Sequence, residues 1–309
     1  MSTHVIVGAG PVGVTTARLL ADRGDRVKLV SRRGRGPEHP AVERISADAT
    51  DADRLTALAT GAVALYNCLN PAYHRWATDW PPMAAALLAA AGRADAVLVT
   101  AGNLYGYGPV DGPMTEHTPE RPNTVKGAVR ARMWAEMSAA HRAGRVRATE
   151  VRASDFVGPG AYSVANNLIL PRAATGRRVV VPADADAPHS WTYVGDLART
   201  LVTVADDERA WGRVWHAPTP PPVSVRGLAA LAAARAGARP PRVTALPRAA
   251  LTLGGAVSRE LREIRRIAYQ FYRPFVLDST AVTETLGLTC TPLDEAIDAT
   301  VAALPAPAA

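Results

Sequence analysis

Cysteine is nearly missing from this chain. Two occur in 309 residues, Cys68 and Cys290. They lie far apart and lack the spacing of a metal site or a redox pair, so a disulfide framework and a cysteine-ligated metal are excluded. Both read as reduced, buried thiols. Lysine is equally scarce: Lys28 and Lys126 stand alone, and arginine supplies the rest of the 35 basic residues. No apolar run is long enough to span a bilayer, and Met1 leads directly into HVIVGAG without the basic and apolar regions of a secretion signal. A cytoplasmic location without a membrane partner is expected. The net charge of +7 and pI near 9.8 come from scattered arginines. No basic stripe interleaved with aromatics appears, which argues against nucleic acid as a partner. No His-Glu-x-x-His, cysteine pair or paired-carboxylate motif calls for a metal or for hydrolysis.

What is present is an alternation of apolar strands and helices. Segment 4-HVIVGAGPVG-13 reads as a buried strand and a tight glycine turn, followed by a helix over 14–23 that ends at Gly24. Strands follow at 26–33, 62–70 and 94–108, with an alanine-rich helix over 82–91 between the last two. A helix over 126–143 precedes the strand in 147–160. Such alternation predicts a parallel sheet with right-handed crossovers. Beyond Gly160 the pattern loosens into short strands, proline loops and helices. The last residues, PAPAA, read as a disordered end. Asp196 reads as the cap of a helix beginning at 197, and Asp155 as a carboxylate that organises its loop.

Gly8, Gly10 and Gly13 form G-x-G-x-x-G between a strand and a helix, the context that a dinucleotide fingerprint requires. The turn Gly8, Gly10, Pro11, Val12 and Gly13 would lie against a pyrophosphate at the helix N-terminus. An acid normally follows the second strand and binds the ribose hydroxyls. Here that place reads Ser31-Arg32-Arg33. Two guanidiniums suit a 2′-phosphate, so NADP(H) is the expected cofactor, with NAD(H) as the other possibility. Asp48 stands where a loop could reach the adenine, or simply forms a turn.

These features, with 65-LYNCLNP-71, 97-VLVTAGNLYGYGP-109, 150-EVRASDFVGPG-160, 191-WTYVGDLART-200 and 214-VWHAPTPPPVSVRGLAAL-231, resemble the extended short-chain dehydrogenase/reductase superfamily, of the NAD-dependent epimerase/dehydratase type. The resemblance covers most of the chain. It implies an α/β fold: a Rossmann-type doubly wound parallel sheet over 1–160, rejoined by 191–215, and a smaller C-terminal substrate-binding lobe from 161–190 and 216–305. It also implies a catalytic Tyr-x-x-x-Lys pair with an upstream serine. This chain departs from that pattern. Anchored on Lys126, the tyrosine position is Pro122; anchored on T-P-x-x-P, it is Asn123, with Gly127 for the lysine. The serine position is Ala101, beside Thr100, and Val7 replaces the first glycine of G-x-x-G-x-x-G. The chain thus resembles the atypical members of the superfamily.

The missing tyrosine directs attention to other groups. Tyr107 and then Tyr105, on the loop after the fifth strand, are candidate proton donors, and Lys126 is a candidate ligand of the nicotinamide ribose. Asn70 borders the cofactor. Tyr73, Trp76, Asn103 and His189 are candidate substrate contacts. Together these imply an NADP(H)-dependent oxidoreductase acting on a carbonyl, alcohol or activated double bond of a small molecule. The alternatives are an epimerase or dehydratase that uses a bound nicotinamide without net redox, and a non-catalytic dinucleotide sensor. Small side chains in 82–92 and in the helix over 126–143 suggest a homodimer packed through four helices.

Overall fold

The computed structural model describes the backbone of residues 1–257 and 259–304, and within them the side chains of all but 253–261 and 264. The PAPAA end lies outside the described residues. The first half alternates β1 (Thr3–Val7), α1 (Pro11–Asp22), β2 (Arg26–Ser31), β3 (Val42–Ser46), α2 (Ala52–Ala59), β4 (Ala64–Asn67), α3 (Trp76–Ala94), β5 (Val97–Asn103), α4 (Val125–Arg142) and β6 (Ala148–Ala153). Then come β7 (Asp155–Val157), α5 (Leu170–Ala173), β8 (Val179–Val181), β9 (Trp191–Tyr193), α6 (Val194–Asp206) and β10 (Val214–His216). The chain continues through α7 (Val225–Arg235), β11 (Val243–Ala245), α8 (Arg248–Val257), α9 (Arg259–Ile267), α10 (Thr280–Leu286) and α11 (Leu293–Ala302).

Seven strands form one parallel sheet in the order β10-β6-β5-β4-β1-β2-β3. This is the doubly wound arrangement expected from the alternation. Strand β1 is apolar because both faces of the sheet are covered. Ile6 points to a core shared with Leu20 of α1 and Leu201 of α6. Val5 and Val7 point the other way, to Leu55 of α2, Leu87 of α3 and Met137 of α4. The chain leaves β1 toward β2 and β3, then crosses back to place β4 on the other side of β1. That reversal opens a crevice at the carboxyl ends of β1 and β4. A third apolar cluster, apart from the sheet, joins Ile169, Leu170 of α5, Val179 of β8, Leu228 of α7 and Ile297 of α11.

Some boundaries differ from the sequence reading. Helix α1 starts at Pro11, where a proline at the first position costs no hydrogen bond. Helix α3 begins at Trp76 and carries Pro81 and Pro82 on its exposed side. Burial of Trp76 and Trp80 holds the turns those prolines interrupt. Asp196 does not cap a helix beginning at 197. It sits in the first turn of α6, buried, and accepts hydrogen bonds from Thr291 N and Thr291 Oγ1, both at 2.7 Å. Cys68 and Cys290 are both free, and burial pushes the Cys68 thiol up to about 12. No helix among the described residues is long and apolar enough to cross a membrane.

Candidate active site

The three glycines do three different things. Gly8 has φ +114, and a Cβ there would meet Cys68 O at 2.4 Å. A Cβ on Gly13 would meet Gly8 O at 1.9 Å, so α1 packs onto the turn only because Gly13 has no side chain. A Cβ on Gly10 would meet nothing within 4 Å. The open space therefore lies over Gly10, at the N-terminus of α1, where backbone N–H groups and the helix dipole favour an anion.

That space belongs to a cleft of about 150 Å³. It runs from Gly10, Pro11 and Val12 over the ends of β4, β5 and β6, past Asn70, Tyr73, Trp76, Asn103 and Tyr105, to Asp155, Tyr162, Ser163, Gln270 and Phe275. Strands of the main sheet form its floor, and β7, the residues that follow it and residues that precede α10 form its far wall.

Helix α4 contributes a cation, but not the expected one. Thr124 caps this helix, its Oγ1 accepting from Gly127 N at 3.0 Å. One turn in, Arg130 lines the cleft; its Nη1 donates to Ala101 O at 3.2 Å, and its guanidinium lies 5.0 Å from the Trp76 ring and 4.4 Å from the Trp80 ring. Burial lowers its pKa, and its Nε has no hydrogen-bond partner. Lys126 does not line the cleft. It is buried over the Tyr73 ring, 5.2 Å from the centroid, and ion-paired with Glu263. Lys126 and Arg130 have the same i, i+4 spacing as the Tyr-x-x-x-Lys pair implied by the resemblance. The pattern here is Lys126-x-x-x-Arg130, a register the sequence reading missed by anchoring Lys126 as the pair's lysine.

The two tyrosines part company. Tyr105 lines the cleft and shares a 2.8 Å hydrogen bond with the Tyr73 hydroxyl. Burial raises both phenols, Tyr73 to about 12 and Tyr105 well above its ordinary value. Tyr107 faces away, into a cluster with Leu104, Met114 and Phe275. Its hydroxyl donates to His216 Nε2 at 2.8 Å, because His216 Nδ1, 2.7 Å from Asp278 O, must itself donate. Burial pushes the Tyr107 phenol up to about 12, with the Arg152 guanidinium, 4.7 Å from the ring, pulling the other way. A phenol pointed into the core with a raised pKa does not fit the role of proton donor to the cleft, nor is it activated by Lys126.

His189 is likewise not a cleft residue. It lies behind Asp155, its Nε2 3.0 Å from Asp155 Oδ2 and its Nδ1 3.2 Å from Gln270 O, stacked on Phe271 at 5.2 Å. Asp155, read from sequence as a loop organiser, lines the cleft. Arg130, Tyr162, Ser163 and Gln270 were missed altogether. Arg130 was legible as the residue four past Lys126. Gln270 had no local signal, since the fold alone brings it to the cleft.

At the nucleotide end, Ser31 Oγ accepts from Arg35 N at 2.9 Å. Arg32 and Arg33 are exposed after β2, with no hydrogen bond or ion pair from either side chain among the described residues. Asp48 builds a turn: its Oδ1 accepts from Thr50 N and Thr50 Oγ1, both at 2.9 Å, and those bonds hold its carboxyl below the ordinary value.

No curated protein sequence matches the chain. Among solved structures it is similar to the UDP-glucose 4-epimerase of Thermotoga maritima with UDP-glucose, at 16% identity and TM-score 0.80, covering 97% of this chain and 98% of that one. It is also similar to the dTDP-glucose 4,6-dehydratase DesIV of Streptomyces venezuelae with NAD and TYD bound, at 18% identity and TM-score 0.77, covering 97% and 96%. A third is WbmH of Bordetella bronchiseptica in complex with NAD+, at 19% identity and TM-score 0.76, covering 98% of each chain. At these identities the likeness is one of fold. The model of the NAD dependent epimerase/dehydratase family matches residues 4–215, over half of the chain. With its glycine turn, seven-stranded parallel sheet and cleft at the switch point, the chain belongs to the NAD-dependent epimerase/dehydratase family.

Proposed function

We propose that this protein is an enzyme that holds a nicotinamide dinucleotide in the cleft and uses it, without net redox, to epimerise or dehydrate a small hydroxylated substrate. Of the expectations from the sequence, this takes the alternative over the first, an oxidoreductase with net turnover of NADP(H). Family membership and the neighbouring epimerase and dehydratases favour the alternative. The observation that carries the reading is the continuity of one cleft from the open glycine turn at Gly10 to the polar far wall at Asp155, Ser163 and Gln270.

The residues fit the cofactor. Gly10 leaves room for a pyrophosphate, Asn70 borders the path, and Arg130 offers a buried donor that Lys126 cannot. When bound, the nicotinamide supplies a reversible hydride acceptor. The chain's own residues orient the substrate and exclude water: Tyr73 and Trp76 form an aromatic wall, and Tyr105 and Asn103 present polar groups over the end of β5. Exposed guanidiniums at Arg32 and Arg33 favour a 2′-phosphate, hence NADP(H) over NAD(H).

The test incubates the purified protein with NAD+ or NADP+ and UDP-glucose or dTDP-glucose, following the sugar by NMR and absorbance at the reduced-nicotinamide band. A rearranged sugar without accumulating reduced nucleotide is expected. Reduced nucleotide rising in step with an oxidised sugar would restore the oxidoreductase reading, and nucleotide binding without turnover of either sugar would favour the sensor.

A further inference from the structure

We infer that Asp155 and His189 share one proton and that this pair is the acid of the cleft, in place of the missing tyrosine. The inference rests on the reading above that the cleft is a reaction site.

The argument is a count of hydrogens. Gln270 O can only accept, so His189 Nδ1, 3.2 Å away, carries a hydrogen. Nε2 of a neutral imidazole would then be a bare acceptor. Its partner at 3.0 Å is Asp155 Oδ2, and an ionised carboxylate is also acceptor-only. The contact is a hydrogen bond only if one more proton lies between them, on Nε2 or on the carboxyl. His216 provides the internal contrast: its second nitrogen meets the Tyr107 hydroxyl, which can donate, so a neutral ring satisfies both contacts.

Position turns the shared proton into a usable one. His189 is sealed between Trp191, Phe271 and Phe275, with ring centroids at 4.3, 5.2 and 5.3 Å. Asp155 lines the cleft. The titratable and charged groups facing the pair are the phenols of Tyr73, Tyr105, Tyr162 and Tyr269 and the Arg130 guanidinium. Burial raises the phenols of Tyr73, Tyr105 and Tyr269, so none of these three is a ready donor to the cleft. In the reductive half of the reaction, as hydride would add to a substrate carbonyl carbon, the C=O π pair takes the proton that leaves through the Asp155 carboxyl and becomes the alcohol O–H bond. An Asp155 carboxylate then faces a neutral His189, and oxidation of the next substrate alcohol, whose O–H proton passes to that carboxylate as its hydride departs to the nicotinamide, restores the pair.

The test is spectroscopic first. Protein labelled with ¹⁵N in histidine and ¹³C at the aspartate carboxyl is recorded at neutral pH, with signals assigned by Asp155→Asn and His189→Gln. Either both His189 ring nitrogens carry hydrogen, or the Asp155 carboxyl is protonated. In Asp155→Asn the amide donates to Nε2, and His189 becomes a neutral Nδ1–H ring. A neutral His189 beside an ionised Asp155 in the wild type would overturn the proposal whatever the enzyme's substrate. On the sugar that is turned over, Asp155→Asn should lower kcat by about 10²–10⁴-fold, the usual cost of a lost general acid, with KM and NAD+ affinity little changed. Unchanged kcat would also overturn it. If neither sugar reacts, the functional reading fails while the spectra still decide the pair.

Discussion

Lys126 of α4 and Glu263 of α9 form a buried ion pair across 137 residues of sequence. Arg266 also donates to Glu263, at 2.8 Å. Burial pushes the Glu263 carboxyl up, but the hydrogen bond and charge of Lys126 pull it further down, below its ordinary 4.5. A group whose folded pKa is depressed adds stability above its unfolded value and loses it as pH falls through the folded value. Glu263→Gln should therefore destabilise the protein at pH 7 by about 3–5 kcal/mol, the cost of leaving one buried charge unpaired. In thermal melts the gap to wild type should close as pH falls below 4.5. A gap constant down to the acid transition would mean that the pair contributes no such stability.

Arg130, rather than Lys126, should set nucleotide affinity. Arg130→Ala should weaken NAD+ binding by about 1.5–3 kcal/mol for a charged hydrogen bond lost, and Arg130→Lys should recover part of it. Lys126→Gln should leave the affinity near wild type, because that side chain does not line the cleft and is paired with Glu263. Calorimetric titration of the three variants decides it; an equal loss from Lys126→Gln would reverse the assignment.

Arg32 and Arg33 should select the phosphorylated nucleotide. Replacing both with alanine should weaken NADPH binding by about 1.5–3 kcal/mol per charged hydrogen bond and leave NADH unchanged. Wild type that binds NADH as tightly as NADPH would sink this expectation.

Tyr107→Phe should act on stability and not on the cleft. It removes the donor to His216 Nε2, a buried acceptor, at a cost of about 1–3 kcal/mol. Tyr105→Phe instead removes the partner of the Tyr73 hydroxyl inside the cleft. Denaturant melts and turnover, measured side by side, should separate the two. A large loss of turnover in Tyr107→Phe at full nucleotide occupancy would return Tyr107 to the site.

Helices α3 and α4 present exposed small residues, among them Ala77, Ala85, Ala128 and Ala135. Close packing of these faces between two copies is the proposed dimer. Sedimentation at micromolar concentration should give a species near twice the 32.5 kDa chain, and a lone monomer would rule it out.

The sequence by itself determined the sheet, the dinucleotide turn and the family. Each is written in local pattern: apolar runs of strand length, helical periodicity, and glycines whose missing side chains are required within a few residues of one another. It also determined that the Tyr-x-x-x-Lys pair is broken. Tertiary structure decided what stands in the gap. Helix rotation is invisible in a list of residues, yet it turns Arg130 into the cleft and Lys126 toward Glu263. Tyr105 and Tyr107 look alike in G-Y-G-rich sequence, but one single-turn bend after β5 sends the first to the cleft and the second to the core. Asp155 and His189, 34 residues apart, acquire their shared proton only because β7 and β9 pair in parallel and Gln270 arrives from the far end of the chain. Such contacts depend on where distant segments come to rest, which no short stretch of sequence encodes.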